Sequence, residues 1–238
     1  MTVDTYRLLF VSIFIVCFRD EACMDGQVRK FGVDDPNVYW LNRRDEGRTG
    51  ERRLHRFLRD LVDEIVPAGS TVLDCGVGSG HVFRLCSEKH QTYGVELSSN
   101  AIKTYKFPTD NIRQADLNDG IPDFGTKFDV IIASMVLHWL DDPSEFLCRA
   151  KDKLSQQGHL FVVIPNIIFY RYRVAYLFGK FPPISLSHKN FQVPAEVERM
   201  FQNAGFSIEQ RLSPRNSIRA KILPTLFSTD IVYVLKQI

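Results

Sequence analysis

The stretch TVLDCGVGSG, residues 71–80, places three glycines behind a short apolar run that contains an acid, Asp74. Its first five residues are mainly β-branched and aliphatic and predict a buried strand, and the glycines predict a tight turn into a helix. Gly76, Gly78 and Gly80 lack a β-carbon, so the chain can turn sharply and a ligand can approach the backbone. The first N–H groups of the next helix favour an anionic group there. A glycine turn alone is also compatible with an ordinary loop.

Helix-like and strand-like segments alternate on both sides of this turn. Amphipathic or capped helices are predicted at residues 50–66, 80–89, 100–106, 142–158 and 194–205. Strands are predicted at residues 92–97, 112–117, 128–134, 159–166, 206–213 and 229–237. Strands that alternate with helices need crossover connections, which predicts an α/β fold with a parallel sheet covered on both faces.

The length of 238 residues and the 45% hydrophobic content predict one domain, which we place at residues 24–238. Residues 1–23 are expected to be a disordered extension, a segment upstream of an alternative start at Met24, or an interfacial anchor. Their apolar run, residues 8–18, is shorter than the roughly 20 residues of a membrane-spanning helix and lacks the flanks of a secretory signal. The aromatic and basic residues 167–190 predict a small helical cap inserted over the site.

Charge and cysteine content exclude several classes of function. Thirty basic and 28 acidic residues give a net charge of +2, which does not indicate a nucleic-acid partner. The five cysteines form no C-x-x-C pair, so neither a disulfide framework nor a metal site is expected. A reducing, cytoplasmic compartment is the corresponding expectation. We also expect a monomer or homodimer.

Two more acids stand where the next strands are predicted to end. Glu96 comes 22 residues after Asp74, at a position where a carboxylate can accept hydrogen bonds from ribose hydroxyls. Asp116 ends the third strand, where an adenine edge would lie. A dinucleotide fingerprint requires Gly or Ala at position 81, and this chain has His81. Asp74 would repel a pyrophosphate and suits a ligand that carries an ammonium and a sulfonium group.

These residues carry a resemblance to a known family. VLDCGVGSG, followed by YGVELS, QADLND and FDVIIASMVLHWLDDP, is similar in order and spacing to the class I S-adenosylmethionine-dependent methyltransferases, whose signature is D-x-G-x-G-x-G. The later segments GHLFVVIPN and SHKNFQVPAEVERMFQNAGF resemble the MetW-like and ubiquinone-type O-methyltransferases. The resemblance, over roughly residues 50–238, implies a Rossmann-like, seven-stranded, mostly parallel sheet of order 3-2-1-4-5-7-6 with an antiparallel last strand.

The resemblance also implies S-adenosyl-L-methionine as the cofactor. Asp74 and the glycines would hold the methionine part of the cofactor, and Glu96 would hold its ribose. Asp116 and Leu117 would flank its adenine, and Ser134 would line the cleft near the methyl group. Val77 departs from the commonest family pattern, and we expect it to be tolerated. The implied cofactor-binding residues are Asp74, Gly76, Gly78, Gly80, Glu96, Leu97, Asp116, Leu117 and Ser134.

Histidines are the candidate bases. A sulfonium already activates the methyl group, so the protein must chiefly align a nucleophile, but a positioned histidine adds about 10²- to 10⁴-fold when an alcohol or phenol is deprotonated. His138 follows the fourth strand and His188 lies in the segment that returns from the cap; either could instead be structural. His81 is a weaker candidate, because a helix N-terminus disfavours its cation.

Aromatic and charged segments surround the expected acceptor site. Arg171 and Arg173 could bind a carboxylate or phosphate, or lie in solvent while nearby rings pack on the sheet edge. Residues 43–53 are expected to be a solvated charged loop or a mobile lid. The aromatic group that could wall an acceptor pocket comprises Tyr39, Trp40, Phe169, Tyr170, Tyr172 and Tyr176.

The sequence therefore predicts an S-adenosylmethionine-dependent methyltransferase that acts on a small-molecule acceptor, at oxygen. Two alternatives stay open. One is a methyltransferase-fold partner protein without turnover of its own, and the other is a nicotinamide oxidoreductase.

Overall fold

The sheet is the centre of the computed structural model, which describes residues 36–47, 49–179, 190, 192–215 and 217–238. Its strand order is β3-β2-β1-β4-β5-β7-β6. The strands from β3 to β5 pair in parallel, and β7 is antiparallel to both β5 and β6. This confirms the predicted Rossmann-like fold and its strand order. The strands are β1 (Thr71–Cys75), β2 (Gln91–Glu96), β3 (Ile112–Gln114), β4 (Phe128–Ser134), β5 (Leu154–Pro165), β6 (Phe206–Leu212) and β7 (Asp230–Gln237).

Helices cover both faces of the sheet and its carboxyl edge. They are α1 (Pro36–Asp45), α2 (Arg53–Ile65), α3 (His81–Cys86), α4 (Ser99–Ile102), α5 (Pro143–Lys153), α6 (Tyr170–Leu177), α7 (Pro194–Asn203), α8 (Ile218–Ile222) and α9 (Pro224–Phe227), with a 3₁₀ turn at Leu137–Trp139. None of the helices in the described ranges is long and apolar enough to cross a membrane.

Adjacent residues of the central strands point to opposite faces of the sheet and pack into two separate hydrophobic cores. Val72 and Ile132 belong to the core that includes the apolar side chains of α2 and α3. Leu73 and Ile131 belong to the core that includes those of α5 and α7. All four side chains are fully buried, and each buried aliphatic side chain of this size contributes about 1.5–3 kcal/mol. The sheet is therefore a rigid support for the loops at its carboxyl edge.

The helix predicted at residues 142–158 is too long, and this part of the prediction is wrong. α5 ends at Lys153, and β5 begins at Leu154, which pairs with Phe128 of β4. Gly158 is thus a strand residue and not a helix cap. A Cβ at Gly158 would lie 2.8 Å from the carbonyl oxygen of Phe128, so the close approach of two backbones requires glycine there.

Other predicted elements differ in extent. The helix after the glycine turn ends at Cys86, the third strand ends at Gln114, and α4 is a single turn that begins after the side-chain cap of Ser98. α1, α8 and α9 were not predicted. Residues 1–23 and most of the returning half of the cap lie outside the described residues, and the domain limits stay a prediction.

Candidate active site

The glycine turn between β1 and α3 has left-handed backbone at all three of its glycines. The φ angles are +78° at Gly76, +59° at Gly78 and +78° at Gly80, values that residues with a β-carbon rarely adopt. An added Cβ would lie 2.7 Å from the Val136 side chain at the first glycine and 2.8 Å from the Phe107 ring at the third. The turn and its own neighbours therefore require glycine.

Glu96 is held at the end of β2 by backbone N–H groups. Gly78 donates to its Oε2 at 2.7 Å, and Ser98 donates to its Oε1 at 2.8 Å. Burial raises the pKa of Glu96, although these two donors oppose the rise. The carboxyl group thus connects the glycine turn to the end of β2, at the place where the sequence predicts the ribose-binding acid.

Asp74 is a second buried carboxyl group at this turn. Its side chain is 2% exposed, and the backbone N–H of Phe83 in α3 donates to it. Its Oδ2 has no hydrogen-bond partner among the described residues. Burial, followed by the charge of Glu96, raises the pKa of Asp74 to about 8. A cation beside the pair would favour the ionised form of both groups.

The other predicted cofactor residues lie along the same edge of the sheet. Asp116 follows β3, and its Oδ1 accepts hydrogen bonds from the backbone and side-chain nitrogens of Asn118 at 2.8 and 3.0 Å. Leu117 is buried, whereas Leu97, directly after β2, is 41% exposed. Ser134 is the last residue of β4. The structure therefore brings the nine residues to the carboxyl ends of β1 to β4.

Met135, which the sequence analysis did not single out, turns the chain sharply at the end of β4. It is the one described non-glycine residue with a left-handed φ, +60°, and its N–H donates to the carbonyl of Val163 at 3.0 Å. This conformation costs a methionine about 1–2 kcal/mol. The next residue, Val136, is the neighbour that crowds Gly76, so the strained turn brings the β4 loop onto the glycine turn. No local sequence signal marks such a residue.

His138 lies in the 3₁₀ turn that follows. Its side chain is buried beside Trp139, with 5.8 Å between the ring centroids. Its carbonyl accepts a hydrogen bond from the backbone N–H of Asn190 at 3.2 Å, and both residues line a small cavity with Pro165 of β5. His138 thus stands between the ends of β4 and β5. His188 lies outside the described residues.

His81 fastens a loop to the start of α3. Its Nε2 lies 2.8 Å from the carbonyl oxygen of Thr49, and its ring stacks on His55 with centroids 5.0 Å apart. Burial and nearby cationic groups lower the pKa of His55 to about 4. Glu51 in the same loop forms an ion pair with Arg84 of α3 at 2.8 Å. The part of the predicted charged loop after α1 is therefore tied to α3.

Among the described residues, the ring contacts of the predicted aromatic group form two clusters. Tyr39 and Trp40 lie on α1, where Tyr39 packs against Trp139 with centroids 5.4 Å apart. Phe169, Tyr170 and Tyr172 form a second cluster, in which Phe169 contacts both tyrosines. That cluster continues to α9, since the rings of Tyr170 and Phe227 lie 5.4 Å apart. The two clusters therefore lie on helices that are distant from each other in sequence.

α1 covers the outside of the glycine turn. A Cβ at Gly78 would lie 3.0 Å from two ring atoms of Trp40. The Oδ1 of Asn37 accepts hydrogen bonds from Ser98 Oγ at 3.0 Å and from Asn100 N at 3.2 Å. These contacts tie α1 to the start of α4. A cavity of about 510 Å³ lies between α1, the start of α3 and residues 100–107.

Known proteins resemble this chain in sequence and in fold. A sequence model of a family described as "Methyltransferase domain" matches residues 50–211. The chain belongs to this family. It is 27% identical to the bifunctional methionine biosynthesis protein MetXA/MetW of Rhodopirellula baltica over 129 residues, 50% of this chain and 20% of that protein. It is 24% identical to a probable S-adenosylmethionine-dependent methyltransferase of Mycolicibacterium smegmatis over 185 residues, 76% of this chain and 64% of that protein.

A solved structure shows the same fold. Magnesium protoporphyrin IX methyltransferase from Synechocystis, with bound SAH, aligns at a TM-score of 0.59 and 17% identity over 85% of this chain and 96% of that one. The family match and the relative from Mycolicibacterium smegmatis confirm the predicted family, the class I S-adenosylmethionine-dependent methyltransferases, with S-adenosylmethionine as its cofactor; the solved structure shows the fold alone. The matched region of this chain spans only a fifth to two thirds of the two curated relatives.

The residues of this methyltransferase-family chain fit that cofactor. The buried Oδ2 of Asp74, which lacks a partner among the described residues, suits a cationic ligand. The three glycines of the turn carry no side chain of their own, and Val136, Trp40 and Phe107 lie against them. Within the described residues there is no group of three or more metal-ligating side chains that could hold a metal ion.

Proposed function

We propose that this chain binds S-adenosyl-L-methionine at the glycine turn and transfers its methyl group to an oxygen atom of a small-molecule acceptor. The observation that carries the proposal is the pair of buried carboxyl groups, Asp74 and Glu96, at a glycine turn in a methyltransferase fold. When bound, the sulfonium supplies an activated methyl group. Its positive charge and that of the ammonium group offset the cost of two buried carboxylates.

The remaining residues have separate roles in this proposal. Glu96 accepts hydrogen bonds from the ribose, and its own two backbone donors keep its carboxylate oriented. Asp116 and Leu117, with Leu97, border the adenine. Trp40, against Gly78, limits the access of water to the turn.

The acceptor is proposed to enter beside β4 and β5. A methyl transfer to oxygen requires removal of the hydroxyl proton, and His138 is the candidate base in the described part of this region. His188 stays the second candidate. The alternative, a methyltransferase-fold partner protein without turnover of its own, would bind the cofactor weakly or not at all.

Calorimetric titration with S-adenosylmethionine and with its demethylated product tests the cofactor step. Both compounds should bind, and NAD should not. Absence of heat with either compound up to about 1 mM would overturn the proposal, and binding of NAD alone would support the oxidoreductase alternative. A screen of metabolite extracts with a tritiated methyl donor then identifies the acceptor, and label in no extract would favour the partner-protein alternative.

The proposal that His138 is the base predicts the effect of a substitution at this position. With an acceptor identified, His138→Gln should lower kcat by about 10²- to 10⁴-fold and leave the cofactor Kd unchanged. His90→Gln is the matched control, because His90 is equally buried but pairs with Asp63 at 2.9 Å, away from the site. An unchanged kcat in His138→Gln would assign the base elsewhere.

A further inference from the structure

Two short helices expose large apolar side chains at the carboxyl edge of the sheet. α6 follows β5, and Leu177 at its end is 83% exposed. α8 lies between β6 and β7, and its Ile218 and Ile222 are 70% and 68% exposed. These isoleucines are four residues apart and share one face of the helix. Single exposed apolar residues are ordinary, but here they are concentrated on adjoining segments.

Hydrogen bonds and ring packing join the two segments. The side-chain amide of Asn166, just after β5, donates to the carbonyls of Thr225 at 2.8 Å and of Ser228 at 2.7 Å. The ring of Tyr170 in α6 packs on Phe227 in α9. We name the described residues of 166–179 and 213–229 the carboxyl-edge surface. Its parts lie together because β5, β6 and β7 all begin or end there.

The carboxyl-edge surface is basic and contains no acid. The two stretches hold five of the chain's arginines and lysines and no aspartate or glutamate, although the whole chain has a net charge of only +2. Arg219 and Lys221 are exposed on α8 and form no ion pair with a described residue. Arg173 of α6 is exposed too and donates to the carbonyl of Ile168 at 2.6 Å. Positive charge is therefore concentrated beside the exposed aliphatic side chains.

We infer that the carboxyl-edge surface docks peripherally on an anionic lipid membrane. Exposed aliphatic residues next to unpaired cations are the combination that binds in a membrane interface, where apolar side chains enter the headgroup region and cations face anionic lipids. The aliphatic residues favour lipid over a nucleic acid, which would need cations alone. The inference goes beyond the proposed function and does not depend on methyl transfer.

Sedimentation of the full chain with vesicles tests the inference. The chain should bind vesicles that contain about a third phosphatidylserine more tightly than vesicles of phosphatidylcholine alone. Each cation removed should weaken this binding about fivefold, so R219Q/K221Q should lose about 25-fold. K103Q/K106Q is the matched control, because it removes two exposed charges between β2 and β3, at the opposite end of the strand order, and should bind like the unchanged chain.

A second pair of variants tests the aliphatic contribution. I218S/I222S should bind the anionic vesicles more weakly, whereas I238S, at an 82% exposed residue after β7, should not. A melting temperature within about 2 °C of that of the unchanged chain shows that each variant is folded. Equal binding of both vesicle types, or undiminished binding by R219Q/K221Q, would overturn the inference. So would salt-sensitive binding to duplex DNA in place of vesicles.

Because vesicle binding needs neither cofactor nor turnover, it can fail or succeed independently of the proposed function. A chain that binds S-adenosylmethionine but no vesicles would retain the proposed function and lose only the membrane inference. A chain that binds vesicles but not S-adenosylmethionine would support the membrane inference and contradict the proposed function.

Discussion

Asp74 and Glu96 are buried carboxyl groups whose charges act on each other at the glycine turn. Burial raises the pKa of both groups, so ionisation of both carboxyl groups is unfavourable in the absence of a cation. A cationic ligand would remove this cost. The sequence places both acids at strand ends, but it does not show their burial. The two side chains support one prediction each.

Glu96→Gln should weaken the binding of S-adenosylmethionine by about 5- to 150-fold, or about 1–3 kcal/mol. The amide keeps the size of the side chain but loses the charged acceptor that the ribose hydroxyls would use. Titration calorimetry measures the change. Glu88→Gln, at an exposed side chain paired with Arg84, is the control and should leave the affinity unchanged. Equal affinity in the two variants would move the ribose to another residue.

Asp74→Asn should remove a pH dependence of stability. In the folded chain the carboxyl of Asp74 keeps its proton up to about pH 8, whereas in the unfolded chain it loses it near its ordinary value of 3.8. Its contribution to the free energy of unfolding is thus complete below about pH 4 and is lost as the pH rises toward 8. Relative to the variant, the unchanged chain should lose up to about 1.4 kcal/mol per pH unit within this window.

Urea unfolding between pH 5 and 8 measures this difference. Asp63→Asn is a contrasting control. Although burial opposes it, hydrogen bonds from Lys89 and His90 hold the pKa of Asp63 below its ordinary value, so this variant should show no such window above pH 5. Parallel pH curves for Asp74→Asn and the unchanged chain would show that the carboxyl of Asp74 is ionised in the folded state.

At the scale of elements, α1 is the part of the site that sequence patterns did not reveal. Its sequence, PNVYWLNRRD, has no clear apolar stripe, and a helix of this kind forms through tertiary contacts. Those contacts are Asn37 with α4 and Trp40 with Gly78, which are separated from α1 by about 40–60 residues along the chain. The boundary between α5 and β5 was predicted wrongly for a similar reason. Glycine is required at position 158 because the backbone of Phe128, in another strand, lies close to it.

Asn37→Ala should loosen α1. The variant loses the side-chain oxygen that accepts hydrogen bonds from Ser98 and Asn100, so the amides of α1 should exchange with solvent about 5- to 150-fold faster, as expected for a loss of about 1–3 kcal/mol. Hydrogen exchange followed by mass spectrometry measures the rates. Asn42→Ala, at an exposed position of the same helix, is the control. Equal exchange in the two variants would mean that α1 is held by other contacts.

At the scale of the whole molecule, two cores on opposite faces of one sheet hold the carboxyl edge together. The proposed cofactor residues come from the ends of β1 to β4, so a ligand that bridges them should stabilise the entire domain. The exposed aliphatic and basic residues lie farther along the same edge, beside β5 and β7. The proposed cofactor site and the proposed membrane surface are thus separate parts of one edge.

S-adenosylmethionine at about 100 times its Kd should raise the melting temperature by about 5–10 °C. This follows from a stabilisation of about 2.7 kcal/mol and a shift of about 2–4 °C per kcal/mol in a domain of this size. Thermal unfolding with and without the compound measures the shift, and NAD at the same concentration is the control. A shift with NAD and none with S-adenosylmethionine would contradict the proposed cofactor.

By itself, the sequence determined the alternation of the strands with the main helices, the glycine turn and the acids at the strand ends. These features depend on residues that are close together in the sequence, because buried strands are apolar and a tight turn requires glycine. Only the tertiary structure decided the protonation of Asp74, the strained backbone of Met135, the docking of α1 and the division of the aromatic group. Each of these depends on groups that are distant along the chain and meet only when the sheet is assembled.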